Sequence, residues 1–146
     1  MRRRLLDVAC WIFLGVSRVV IAVLPFRIVR RLLGRPGATP AAPSAVTARQ
    51  WSRAAAIGSG VRRAAGRAPW RSDCYPQALT ARALLVLTGV PHVVNFGVRR
   101  DDGAQGPLVA HAWVVVGEKP VVGGPADTFT AVASFGWTPR PARRAA

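Results

Sequence analysis

Cysteine is scarce in this chain of 146 residues: Cys10 and Cys74 stand alone, with no second cysteine at short spacing from either. That excludes a disulfide framework, and with His92 and His111 the only histidines it also leaves no cysteine–histidine metal set. The two thiols fit a reducing compartment and predict a cytoplasmic protein. Acids are few as well, six against twenty-one basic residues, for a formal net charge of +15. Lysine is all but absent, Lys119 being the only one. No Gly-rich phosphate-binding loop occurs, so no nucleotide and no other cofactor is expected. Despite the charge, no aromatic-plus-basic strand motif and no recognition-helix pattern is present, and nucleic acid is not an expected partner.

What is present is enough apolar material for one domain, 51% of the residues. The charge is lopsided. Residues 1–71 hold fourteen arginines against a single acid, Asp7, whereas residues 72–146 hold seven basic residues against five acids. A basic half calls for an acidic partner or an anionic surface. At the N-terminus, Arg2-Arg3-Arg4 precedes an apolar stretch reaching Leu24. Asp7 and Arg18 interrupt it and no small-x-small cleavage site follows, which argues against a signal peptide or a span. Helices over 5–24 and 26–33, divided by Pro25 and ended by Gly34, are expected instead, and peripheral contact with a membrane stays open.

Three regions follow from composition. Residues 1–46 comprise the N-terminal helical segment and a Pro/Ala linker, 47–137 the main domain, and 138–146 a basic tail. Thr47 caps a helix to residue 65 with Trp51, Ala55 and Ile57 near one face. Pro76 suits the first position of the next helix, whose apolar stripe is Ala78, Leu79, Ala83, Val86 and Leu87, stopped by Gly89 and Pro91. Alternation of Val94, Phe96 and Val98 then predicts a strand over 92–99, followed by strands over 108–116 and 119–122 joined by a turn at Gly117-Glu118. Phe129 to Phe135 reads as a further helix if Asp127 is a helix-start acid. Helices followed by an antiparallel meander make an α+β fold.

The chemistry centres on Cys74. A thiol attacks a carbonyl as thiolate, and a helix N-terminus favours the thiolate through its dipole and unsatisfied N–H groups. The same N–H groups suit an oxyanion. His111, on a strand with Trp113 and Val115, is the candidate base; His92, at a strand entrance after Pro91, is its competitor and better suited to a surface or turn.

Cys74-Tyr75-Pro76-Gln77-Ala78-Leu79, Asn95-Phe96-Gly97-Val98, Ala110-His111-Ala112-Trp113-Val114 and Val121-Val122-Gly123-Gly124, in this order and spacing, resemble the B2 proteins of lasso peptide biosynthesis. These are transglutaminase-like leader peptidases. The resemblance covers residues 70–125 closely and the stretch around Leu24-Pro25-Phe26-Arg27 more loosely. It implies a papain/transglutaminase-like fold and a Cys-His-Asp triad that cleaves the leader from a ribosomally made precursor peptide. The partners it implies are that precursor, a small leader-recognition protein and a lasso cyclase. In the family an acid follows the histidine on the adjacent strand; counting across the turn puts Gly123 or Gly124 there instead. Asp127 is assigned as the orienting acid, with Glu118 too far along the strand and Asp73 a helix cap. Failing Asp127, the site is a Cys-His dyad or a backbone carbonyl holds the ring, with the oxyanion bound by the Cys74 N–H and Trp70 a weak side-chain candidate. The alternative function is a non-catalytic or membrane-peripheral scaffold in a peptide-maturation complex.

Overall fold

The computed structural model describes residues 2–37, 45–101, 106–124 and 126–139. Helix α1 runs Arg2–Val23 and α2 Phe26–Leu33, separated by Pro25, whose carbonyl accepts the Ile28 N–H at 2.8 Å. Gly34 ends α2 at φ 127°, a left-handed conformation open to glycine. The chain then forms a two-residue strand, β1 (Arg35–Pro36). Of the Pro/Ala linker, residues 38–44 lie outside the described residues, as do 140–146 of the basic tail.

Helix α3 (Ala48–Ala65) starts with a capping box: Thr47 Oγ1 accepts the Gln50 N–H, and the Thr47 N–H donates to Gln50 Oε1 at 2.9 Å. It buries Ala54, Ile57, Gly58, Gly60, Val61 and Ala64, while Ala55, expected on the inner face, is exposed. Helix α4 (Cys74–Leu87) lies between α1 and α3 on one side and the sheet on the other. Its buried residues include Ala78, Leu79, Ala81, Leu84 and Leu85, a broader set than one stripe; Leu87 points to solvent.

Strands β2 (His92–Arg100), β3 (Leu108–Val116), β4 (Lys119–Val122) and β5 (Thr130–Trp137) complete a sheet of order β1-β5-β2-β3-β4, with each pair antiparallel. The meander β2-β3-β4 is as expected. The segment after Asp127 is not a helix: β5 returns across the sheet to pair with β2, which places Phe135 in the core and Ala131 and Ala133 half-buried. The architecture is mixed α+β, a helical layer on one face of an antiparallel sheet. One core joins Cys10 and Leu14 of α1, Val29 and Leu33 of α2, the inner faces of α3 and α4, and Val94, Ala112, Val114 and Val122 of the sheet.

Candidate active site

Cys74 is the first helical residue of α4, two positions earlier than Pro76 suggests. Pro76 still lies in the first turn, where a missing N–H costs nothing because that turn has no intrahelical acceptors. Asp73 takes the N-cap position, but its carboxylate makes no capping hydrogen bond and faces Arg71 at 3.5 Å on the open surface. Gln77 anchors the segment instead, its Nε2 donating to the Ser72 carbonyl at 2.7 Å. The Cys74 side chain is half-buried against the core, next to Tyr75, whose ring meets Phe96 edge-on at 5.5 Å and Phe26 at 6.2 Å. Cys10 differs in every respect: it is fully buried, and desolvation followed by the Asp7 charge pushes its thiol up to about 11.

His111 sits on β3 opposite Gly97 of β2. Side chains alternate across a strand, so Ala112, Val114 and Val116 enter the core under the helices while His111, Trp113 and Val115 take the other face. The imidazole is stacked on Phe129 at 4.6 Å and on Trp113 at 5.8 Å between centroids. Its Nε2 lies 2.7 Å from the Gly123 carbonyl oxygen. A carbonyl only accepts, so Nε2 carries the proton and, in the neutral ring, Nδ1 is left as the acceptor.

Gly123 is suited to this role by its backbone. Its φ is 95°, and a Cβ there would come within 2.5 Å of Trp113 Cβ and 2.7 Å of the Ala112 carbonyl. Gly97 is hemmed in similarly, with the Trp113 ring 2.8 Å from where its Cβ would stand. The two glycines let Trp113 lie flat on the sheet beside His111.

The expected residues are thus partly assembled. Phe96, in contact with Tyr75, pairs with Ala112 on the helix-covered face, whereas His111 takes the opposite face, so the start of α4 and the histidine lie near one end of the sheet but are not brought together. Among the described residues, no hydrogen bond joins Cys74 to His111. The acceptor on Nε2 is the Gly123 carbonyl rather than the Asp127 carboxylate. Asp127 is exposed on the wall of an open cleft of about 450 Å³, with Trp113, Val115, Glu118, Pro120 and Gly124. β4 pairs only with Val114–Val116, so the same edge of β3 from Leu108 to Trp113 has no strand partner among the described residues.

His92 is not at the surface. It is 2% exposed, stacked on Trp137 at 5.5 Å, with Nδ1 against the Val90 carbonyl at 2.9 Å and Nε2 without a partner among the described residues. Burial, aided by the Arg82 charge, lowers its pKa to about 4. Trp70 packs against Trp11 of α1 with the rings tilted by 55° and 5.1 Å between centroids, and its buried indole N–H has no partner among the described residues. Sequence reasoning missed Phe129 and Arg99, whose guanidinium lies 5.3 Å above the Phe129 ring on the side chain that stacks on His111. The one available signal was the period-two spacing of Gly97 and Arg99 on one face of β2.

A family model described as the transglutaminase-like superfamily matches residues 17–134, from the last turns of α1 into β5. No curated protein and no solved structure matches the chain.

Proposed function

The chain belongs to the transglutaminase-like superfamily, which includes cysteine peptidases, and from that premise we propose that it is a leader peptidase acting through Cys74 and His111. The observation that carries the reading is the Gly123 carbonyl on Nε2 of His111, because it leaves Nδ1 with the lone pair a general base needs. The proposed reaction requires the end of β3 to shift on substrate binding so that His111 reaches Cys74 across the sheet; Nδ1 then takes the Cys74 thiol proton and the thiolate attacks the leader–core amide. The tetrahedral oxyanion is held by the free N–H groups of Cys74 and Tyr75 at the start of α4. Collapse breaks the C–N bond, with the imidazolium proton going to the leaving amine. Water then hydrolyses the thioester, giving the leader carboxylate and regenerating the thiol.

In this reading the ring is oriented by a backbone carbonyl, and Asp127 lines the substrate cleft. The edge of β3 that has no strand partner among the described residues suits an extended peptide laid beside it, with main-chain bonds supplying affinity. The resemblance of residues 70–125 to lasso B2 proteins supports a ribosomally made precursor as substrate, delivered by a small leader-recognition protein and passed to a cyclase in the cytoplasm.

The test is leader release from precursor plus recognition protein, followed by mass spectrometry for wild type, Cys74→Ala and His111→Ala. Both variants should lose the cleaved leader while keeping the wild-type thermal transition. Cleavage undiminished by Cys74→Ala would remove the peptidase reading and favour a scaffold. Loss with His111→Ala but not with Asp127→Asn would support the carbonyl-held ring.

A further inference from the structure

Helix α1 is long and apolar enough to cross a membrane, yet it presents two different apolar faces. One carries Cys10, Leu14 and Ser17 into the core. There the Thr80 hydroxyl donates to the Pro76 carbonyl at 2.8 Å, so Ser17 is the donor in its own 3.0 Å bond to Thr80. The other face carries Leu5, Val8, Ile12, Val16, Val19 and Val23, each more than half exposed. Their spacing of three and four residues makes one straight stripe, about 27 Å long at the helical rise.

The border of the stripe is informative. Arg4, Trp11 and Arg18 are seven residues apart, which puts them in a row along one edge, and all three are exposed. An indole between two guanidinium groups beside an apolar face is the side-chain order of a membrane–water boundary, where amphipathic rings and long cationic chains settle. Helix α2 repeats the combination, with Ile28 and Leu32 exposed and Arg27, Arg30 and Arg31 around them. The only acid before Asp73 is Asp7, and its carboxylate is taken by Arg63, whose hydrogen bond lowers its pKa. A surface this uniformly positive repels a second copy of itself and attracts an anionic one.

We propose that the outer face of α1 lies in the plane of an anionic bilayer, with Leu5 to Val23 in the acyl boundary and Arg4, Trp11 and Arg18 among the headgroups. The inner face stays on α3 and α4, so the domain is held at the surface without being threaded through it. This does not depend on the peptidase reading.

The test uses the full chain and large unilamellar vesicles of phosphatidylcholine, with and without phosphatidylglycerol. Co-sedimentation should require the anionic lipid and fall as salt rises. Arg4→Gln and Arg18→Gln should each weaken it about fivefold. A Val8→Glu/Ile12→Glu/Val19→Glu variant, altered only at exposed positions, should keep the wild-type melting curve and lose binding. In wild type alone, brominated lipid should quench indole fluorescence, and Trp11→Phe should remove most of that quenching. Equal binding to neutral vesicles, no binding to anionic ones, or quenching unchanged by Trp11→Phe would each overturn the proposal. So would resistance to alkaline carbonate extraction, which would make α1 a span, or a dimer in lipid-free buffer dispersed by the triple Glu variant.

Discussion

At the scale of single residues, Gly123 and His92 make opposite points about histidine. His111 has one nitrogen fixed by a carbonyl whose position depends on Gly123 having no side chain. Gly123→Ala meets both a positive φ and backbone at 2.7 Å, so the carbonyl must move. Leader cleavage should fall on the order of 100-fold, as expected when a general base loses its orientation, with stability reduced by about 1–3 kcal/mol. Kinetics and a urea melt on the same preparation separate the two effects. Asp127→Asn, at an exposed position, should shift stability by no more than about 0.5 kcal/mol and leave the pH–rate profile in place. His92, by contrast, is buried neutral. Its folded pKa of about 4 lies below the unfolded value, so the unfolded chain binds the extra proton between the two. Its contribution is therefore full above the unfolded pKa of about 6.5 and is lost as pH falls toward 4. The loss is on the order of 3 kcal/mol at most. Melting temperature measured from pH 7 to pH 4 should fall steeply, and His92→Phe, which removes the unpartnered Nε2, should flatten that slope. A histidine following Pro91 reads as a turn residue; nothing local announces that Trp137, forty-five positions on, will cover it.

Among the elements, what was legible depended on how local the cause was. Pro25 and Gly34 bound α2 at Phe26–Leu33, and the β-branched run before the Gly117-Glu118 turn, with the turn itself, bound β3 and β4 at the expected residues. β5 escaped because its partner is β2, more than thirty residues earlier, and its strand formers Thr130, Val132, Phe135 and Trp137 are interrupted by Ala131, Ala133, Ser134 and Gly136. A backbone carbonyl holding His111 is among the alternatives open from sequence, with Gly123 or Gly124 counted opposite it, but Asp127 is the residue assigned because every residue has a carbonyl and no side chain marks the one that is used. Packing between elements also sets signs that propensity gets wrong. Gly58, inside α3, should gain about 1 kcal/mol of helix stability on replacement by alanine. Yet a Cβ there would stand 2.5 Å from the Val121 carbonyl and 2.7 Å from its side chain, forcing α3 off β4. Overpacking of this kind costs about 1–3 kcal/mol, so Gly58→Ala is expected to be net destabilising. Denaturant midpoints of wild type and variant decide it.

On the scale of the whole molecule, α1 does two jobs with two faces, and this constrains what the chain can be. α4 carries the candidate nucleophile at its first residue and is roofed by α1 and α3. Removing residues 1–24 would uncover the partners of Cys10 and Leu14, leave the Thr80 hydroxyl without its buried donor, and strip Gly60 of the thiol packed against it. Deletion of a buried Leu alone costs about 2–5 kcal/mol, and domains of this size hold about 5–15 kcal/mol in all. The truncated chain is therefore expected to lose cooperative unfolding and near-ultraviolet dichroism and to bind a hydrophobic dye, even though every residue of the Cys74, His111 and Gly123 set is retained. A truncation that still melts cooperatively would mean that α4 is held by α3 and the sheet alone. α1 would then be free to leave the domain, as a membrane span requires. The integrity of the shortened chain thus bears on both the site and the membrane, because the same helix that covers α4 presents the apolar stripe outward.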